Sequence, residues 1–112
     1  MSPSDLVAAQ VEAYNAQDLD VFVGFYAEDC VIADLNGEVR FPDRAAIRAR
    51  FAETFAKFPQ NRARILKRIC VGNVVVDHEV GERTPGGDAF ELIAVYTIKN
   101  GKIARLDMTR GT

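Results

Sequence analysis

Four short turn signals divide most of this sequence, and they constrain the fold more than any other feature. Asn36-Gly37, Gly72-Asn73, Pro85-Gly86-Gly87-Asp88 and Asn100-Gly101 each stand between runs rich in β-branched and aromatic residues. Asn and Gly tolerate the positive φ that tight hairpin turns demand. The runs they join are Cys30 to Leu35 with Val39 to Phe41, Ala63 to Val71 with Val74 to Glu82, and then Ala89 to Lys99 with Lys102 to Arg110. Consecutive hairpins of this kind predict a mostly antiparallel sheet.

Helical spacing accounts for the remainder. Ser2 caps a first helix, Pro3 suits its first position, Asp5 lies in its first turn, and Leu6, Val7, Val11 and Tyr14 recur at helical intervals. One polar residue, Gln10, interrupts the line from Leu6 to Tyr14. A second, short helix starts at Asp18 and carries Leu19, Phe22, Val23, Phe25 and Tyr26 inward. Asp43 caps a long third helix, in which Ile47, Phe51, Phe55 and Phe58 form an apolar stripe while Arg44, Arg48, Arg50, Glu53 and Lys57 face away. Pro59 stops it. Helices before and between strands, with hairpins at the end, define an α+β class.

At 112 residues the chain is too short for two packed domains, so residues 1–112 are read as one domain. Fourteen basic against sixteen acidic residues leave a formal charge of −2, which argues against nucleic acid as a partner because phosphate binding needs surplus Lys and Arg. The longest apolar run is far shorter than a membrane span requires, and MSPSDLV lacks the basic and apolar regions of an export signal, so no membrane partner and a cytoplasmic location are expected. Cys30 and Cys70 form no CxxC, and the chain holds one histidine, so no metal site is expected; both cysteines are read as reduced, buried small hydrophobes. Glycine-rich phosphate loops are absent, and no cofactor is expected.

Strand parity assigns faces. In Val74 to Val80 the charged Asp77 and Glu79 are expected to face water, which turns Val74, Val76, His78 and Val80 inward. Continuous pairing from Lys99 opposite Lys102 sets Val95 opposite Leu106 and Ile93 opposite Met108 on the core face. Tyr96 with Arg105 and Ala94 with Asp107 then fall on the outer face, suited to solvent or to a symmetric partner. In Cys30 to Leu35 both parities are apolar until Asp34.

The stretch YNAQDLDVFVGFYAEDCVIADLNGEVRFPDRAAIRARF closely resembles the nuclear transport factor 2-like superfamily, particularly its ketosteroid-isomerase and SnoaL-like polyketide-cyclase branches. An aromatic before Asn-Ala-x-Asp-Leu-Asp, then Tyr-Ala-Glu-Asp, a strand ending Asp-x-x-Gly, and Ala-Ala-Ile-Arg opening the long helix carry the resemblance; GKIARLDM resembles the last strand. It implies a cone: a curved sheet wrapped around three helices, with a blind apolar pocket at one end. The superfamily includes isomerases, cyclases, epoxide hydrolases and proteins that only bind, so chemistry must be argued from single residues.

Asp34 matches the isomerase's general base. A carboxylate among apolar side chains has its pKa raised by desolvation and becomes a better base for a C–H proton; the alternative role is bonding the Asn36-Gly37 turn. His78 falls where the isomerases carry a pocket aromatic and, if it meets Asp34, completes an acid/base pair. Ketosteroid isomerase is a standard example of an oxyanion site built from a tyrosine and a protonated carboxylic acid; those positions here are Gln10 and Val95. Tyr14 and Tyr26 can reach the pocket, although packing alone also explains them, and Phe51, Phe55, Val80, Leu106 and Met108 complete the expected substrate-binding wall. The epoxide-hydrolase pattern needs an Asp where Met108 stands. Arg110 shares the inward parity of Met108 and suits an anionic ligand at the mouth, whereas Arg62, Arg64, Lys67 and Arg68 read as a solvated strand face or dimer rim. The expectation is a small-molecule enzyme moving a proton on a hydrophobic carbonyl compound, an isomerase or cyclase with Asp34 as base. The alternatives are a non-catalytic module for a hydrophobic ligand, and a homodimerisation domain using the outer sheet face.

Overall fold

In the computed structural model, residues 1–111 are described. The caps set the helix starts. Ser2 and Asp5 form a reciprocal capping box that opens α1, Pro3–Asn15. The side chain of Asp18 accepts from the Val21 amide and opens α2, Leu19–Gly24, and Asp43 does the same through Ala46 for α3, Arg44–Lys57. The strands are β1, Tyr26–Asp34; β2, Val39–Phe41; β3, Arg62–Val71; β4, Val74–Glu82; β5, Ala89–Lys99; and β6, Lys102–Arg110. At the β5–β6 turn Asn100 and Gly101 take φ values of 51° and 72°, as the sequence demands.

The six strands form one curved sheet in the order β2-β1-β6-β5-β4-β3. Every neighbouring pair is antiparallel except β1 with β6, which the intervening chain makes parallel. Helices α1 and α3 lie against the concave face, α1 on β3 and β4, α3 on β1 and β2. Phe22 of α2 sits at the centre of an aromatic cluster, with its ring centroid 4.8 Å from Phe51, 5.2 Å from Tyr26 and 5.8 Å from Tyr14. Val7, Ile32, Ile47, Val75 and Ile103 are fully buried around it. No helix among the described residues is long and apolar enough to cross a membrane.

Four expectations change. Tyr26 does not end α2; the helix stops at Gly24 and Tyr26 opens β1, four residues before Cys30. On β4 the inward residues are Val75, Asp77 and Gly81, all buried, with Glu79 mostly buried between them, so the charged residues that parity sent to water point inside. The physical reason lies on β3. Unbroken pairing from the Gly72-Asn73 turn sets Arg68 opposite Asp77, so both turn inward together; the extra residue at Leu66 comes only beyond that pair, between Lys67 and Ile65. Arg68 is therefore an interior partner rather than part of a solvated basic face.

The third change is the register of β5 and β6. Lys99 pairs with Lys102 and Ile98 with Ile103, but a bulge at Ala104 then sets Thr97 opposite Arg105, Tyr96 opposite Leu106 and Ala94 opposite Met108. One inserted residue exchanges the faces of β5 relative to continuous pairing. Ala94, Tyr96 and Ile98 are buried, and Ile93 and Val95 turn outward. Both cysteines are free; Cys30 is buried, but Cys70 is exposed near the end of β3, against expectation.

Candidate functional site

The register stacks the inward residues in rows. Val75, Tyr96, Leu106 and Ile32 are successive cross-strand neighbours, followed by Asp77, Ala94, Met108 and Asp34, then by Glu79, Leu92 and Arg110, and finally by Gly81 with Phe90. Between these rows and the helices lies a cavity of about 560 Å³, whose walls include Tyr14 of α1, Phe22 of α2, Phe51 of α3, and Leu92 and Met108 of the sheet. Its apolar walls and few convergent polar groups are what a small-molecule site requires. A broader depression of about 850 Å³ near Asp43 and Arg48 is open to solvent and encloses nothing.

Two amide side chains fix the polar groups of the cavity. Gln10 is buried and donates through Nε2 to the Val7 carbonyl at 3.2 Å and to the Tyr96 hydroxyl at 3.3 Å, while its Oε1 accepts from the Tyr26 hydroxyl at 2.7 Å. The Val7 carbonyl can only accept, so the orientation of this amide is pinned. Asn61 is pinned likewise: its Oδ1 accepts from Arg83 at 3.1 Å, which leaves Nδ2 to donate to the Tyr14 hydroxyl. Tyr14 and Tyr96 thus each accept from an amide, and each keeps its own O–H proton for a ligand. Burial pushes both phenols upward in pKa, so both are protonated donors at neutral pH.

Glu79 is the buried carboxyl of the cavity. Its Oε2 is fully buried and has no hydrogen-bond partner. Burial, and secondarily the charge of Asp77, push its pKa from 4.5 up to about 7, with Arg68 pulling the other way. Its charge also reaches the phenols of Tyr14, Tyr26 and Tyr96, raising each. Behind it, Asp77 is fully enclosed and held by Arg68 in a two-pronged pair, Nε to Oδ1 at 2.6 Å and Nη2 to Oδ2 at 2.8 Å. A buried carboxyl with one oxygen unpartnered, poised near neutrality beside two free phenolic protons, is equipped to exchange a proton with a bound molecule.

The expected site residues separate into two groups. Gln10, Tyr14, Tyr26, Phe51, Leu106, Met108 and Asp34 do line the cavity. Asp34 stands at its rim with its side chain 46 % exposed, clamped by Arg40 at 2.6 Å. The hydrogen bonds and charge of Arg40 hold its pKa below the usual carboxylate value, the reverse of the desolvated base expected. His78 points outward, because β4 parity is reversed; its side chain is 38 % exposed and its Nε2 lies 3.2 Å from Glu91 Oε2, so it forms no pair with Asp34. Val80 and Val95 share that outward face for the same reason and do not line the cavity. Phe55 is one layer deeper, packed against Tyr14 and Phe22. Sequence reasoning missed Glu79, Tyr96 and Asn61. The signal that could have found Glu79 is the Arg68–Asp77 pairing that continuous register across Gly72-Asn73 implies, which turns Asp77, and Glu79 with it, inward.

A family model described as a SnoaL-like domain matches residues 7–106. No functionally curated protein matches the chain. Among solved structures, a cystatin-fold protein from Novosphingobium aromaticivorans is 33 % identical with a TM-score of 0.90, over 98 % of this chain and 99 % of that one. A proposed polyketide cyclase from Sinorhizobium meliloti is 25 % identical with a TM-score of 0.78, over 94 % of each chain. IdmH, a proposed polyketide cyclase from Streptomyces antibioticus, is 25 % identical with a TM-score of 0.76, over 98 % of this chain and 92 % of that one. The match over nearly the whole length, on the curved sheet and cavity described above, places this chain in the SnoaL-like domain family.

Proposed function

We propose that the cavity catalyses proton transfer on a hydrophobic carbonyl compound, as an isomerase or cyclase, with Glu79 rather than Asp34 as the general base. The buried, unpartnered Oε2 of Glu79 in the cavity carries this reading. In the step, Glu79 removes a proton from the carbon next to a carbonyl, and the electron pair of the broken C–H bond moves to the carbonyl oxygen as an enolate. The Tyr14 and Tyr96 hydroxyls are the free donors for that oxygen, in place of the tyrosine and carboxylic acid that Gln10 and Val95 replace. Returning the proton to a different carbon isomerises the compound. Attack of the enolate carbon on a second carbonyl of the same molecule, with that oxygen taking the proton, closes a ring. The experiment is proton exchange from a cyclic unsaturated ketone into deuterated solvent, compared between wild type, Glu79→Gln and Asp34→Asn. Loss in Glu79→Gln alone supports the reading, whereas equal rates in all three would leave a protein that binds without chemistry.

We also propose a second copy of this chain as the partner of the outer sheet face. Val76, Val80, Ile93 and Val95 form a half-buried apolar patch there, continued at the β3 edge by Ile69 and Val71, which are 56 % and 77 % exposed. Sedimentation equilibrium at micromolar concentration is expected to return twice the chain mass, and Val95→Lys to return the single chain. A wild-type monomer would refute the contact.

A further inference from the structure

The proposed reaction leaves three arginines at the cavity unused. Arg50 of α3, Arg83 beyond β4 and Arg110 of β6 all line it, and none of them forms an ion pair with a carboxylate among the described residues. Arg40, the fourth guanidinium of the rim, is already neutralised by Asp34. The rim is therefore strongly positive on a chain whose formal charge is −2.

Two of the three are mounted rather than free. Gly81 lies opposite Phe90, and a Cβ at Gly81 would fall 2.4 Å from the Phe90 ring, so only glycine lets that ring lie flat across β4. Arg110 stacks on the ring with Cζ 3.9 Å from its centroid, and Arg83 approaches the same ring at 5.1 Å. Arg83 is further fixed by Asn61 and by the ring of Phe58 at 5.3 Å. Stacking holds guanidinium planes while leaving their edge N–H groups to bind an anion. Arg110 and Glu79 occupy one cross-strand row with Leu92 between them, two strand spacings or ~10 Å apart at the backbone.

We infer that the ligand is an organic anion: an aromatic or alicyclic body carrying a carboxylate, which sits at the Arg50, Arg83 and Arg110 rim while the carbonyl end reaches Glu79, Tyr14 and Tyr96. The inference rests on the cavity being the functional site proposed above, and it adds the charge and orientation of the molecule bound. A neutral ketone fills the same apolar walls but leaves three guanidiniums without an anion.

The test is calorimetric titration with 2-naphthylacetate and 2-naphthylacetamide, which share a ring body and differ in charge. Wild type is expected to bind the acid about tenfold or more tightly than the amide, the size of one or two charge-assisted hydrogen bonds. Arg110→Gln and Arg50→Gln are each expected to reduce that preference several-fold while leaving amide binding within about twofold; Arg50 is exposed on its helix, so its replacement does not threaten the fold. Equal affinity for the two probes, an undiminished preference in both arginine variants, or no binding of either probe at millimolar concentration would each overturn the inference. The titration repeated in Glu79→Gln should keep the preference. A lost preference with Glu79-dependent proton exchange intact would sink the anion inference alone, and the converse would sink the catalytic reading alone.

Discussion

Replacing Glu79 by Gln is expected to slow proton exchange from a bound ketone by roughly 10²–10⁴-fold, the usual contribution of a positioned general base. The wild-type rate should rise with pH through about 7, where the carboxyl loses its proton, and the variant should show no such rise. Asp34→Asn should leave this profile in place, because Asp34 is held ionised by Arg40 at the rim. The same carboxyl predicts a stability signature independent of any substrate. Its pKa is raised in the folded chain, from 4.5 to about 7, so between these values the unfolded chain releases a proton that the folded chain keeps. Stability from this group is thus full below pH 4.5 and declines as pH rises through 7, by about 3 kcal/mol from the size of the shift. Denaturant unfolding at pH 5 and pH 8 checks it: the difference between the two should be smaller in Glu79→Gln than in wild type by about that amount. An identical pH dependence in both proteins would show that Glu79 is not desolvated.

The largest stability effect is expected at Arg68. Changing Arg68 to Met strands the enclosed Asp77 carboxylate without its two-pronged partner, and breaking a buried pair from one side costs about 3–5 kcal/mol. The lower end applies because the Arg68 side chain keeps 23 % exposure. For a chain of this size that is a fall of roughly 10 °C in Tm. Removing both partners, Arg68→Met with Asp77→Leu, should recover most of the loss, since two apolar groups leave no charge to desolvate. A solvated basic strand face predicts almost no change for Arg68→Met, so thermal unfolding of the single and double variants decides between the two arrangements. The pair also bears on the site. Arg68 pulls the Glu79 pKa down, and its loss should move the activity profile further toward alkaline pH.

The element order was legible because its causes are local. The Ser2 and Asp43 caps, the Ile47 to Phe58 stripe and the Asn100-Gly101 turn act within a few residues of themselves, and each lies where the sequence placed it. The one local misreading, Tyr26, sits where an apolar run fits either period, and pairing with Ile103 of β6 drew it into a strand. Among the site residues, Gln10, Tyr14, Phe51, Leu106 and Met108 were legible for the same reason, or through resemblance. Glu79 and Tyr96 were not.

What the sequence by itself determined is the class, the three helices, the hairpins and the family. What the tertiary structure decided is which face of each strand meets the cavity. Side chains alternate with a period of two, so a single extra residue at Ala104 or Leu66 exchanges inside for outside along the rest of the strand. No local signal marks such a bulge. A charged residue reads as solvent-facing until its partner is known, and the partner of Asp77 comes from another strand, across the Gly72-Asn73 turn. The single histidine therefore left the interior, and Glu79 and Tyr96 entered it.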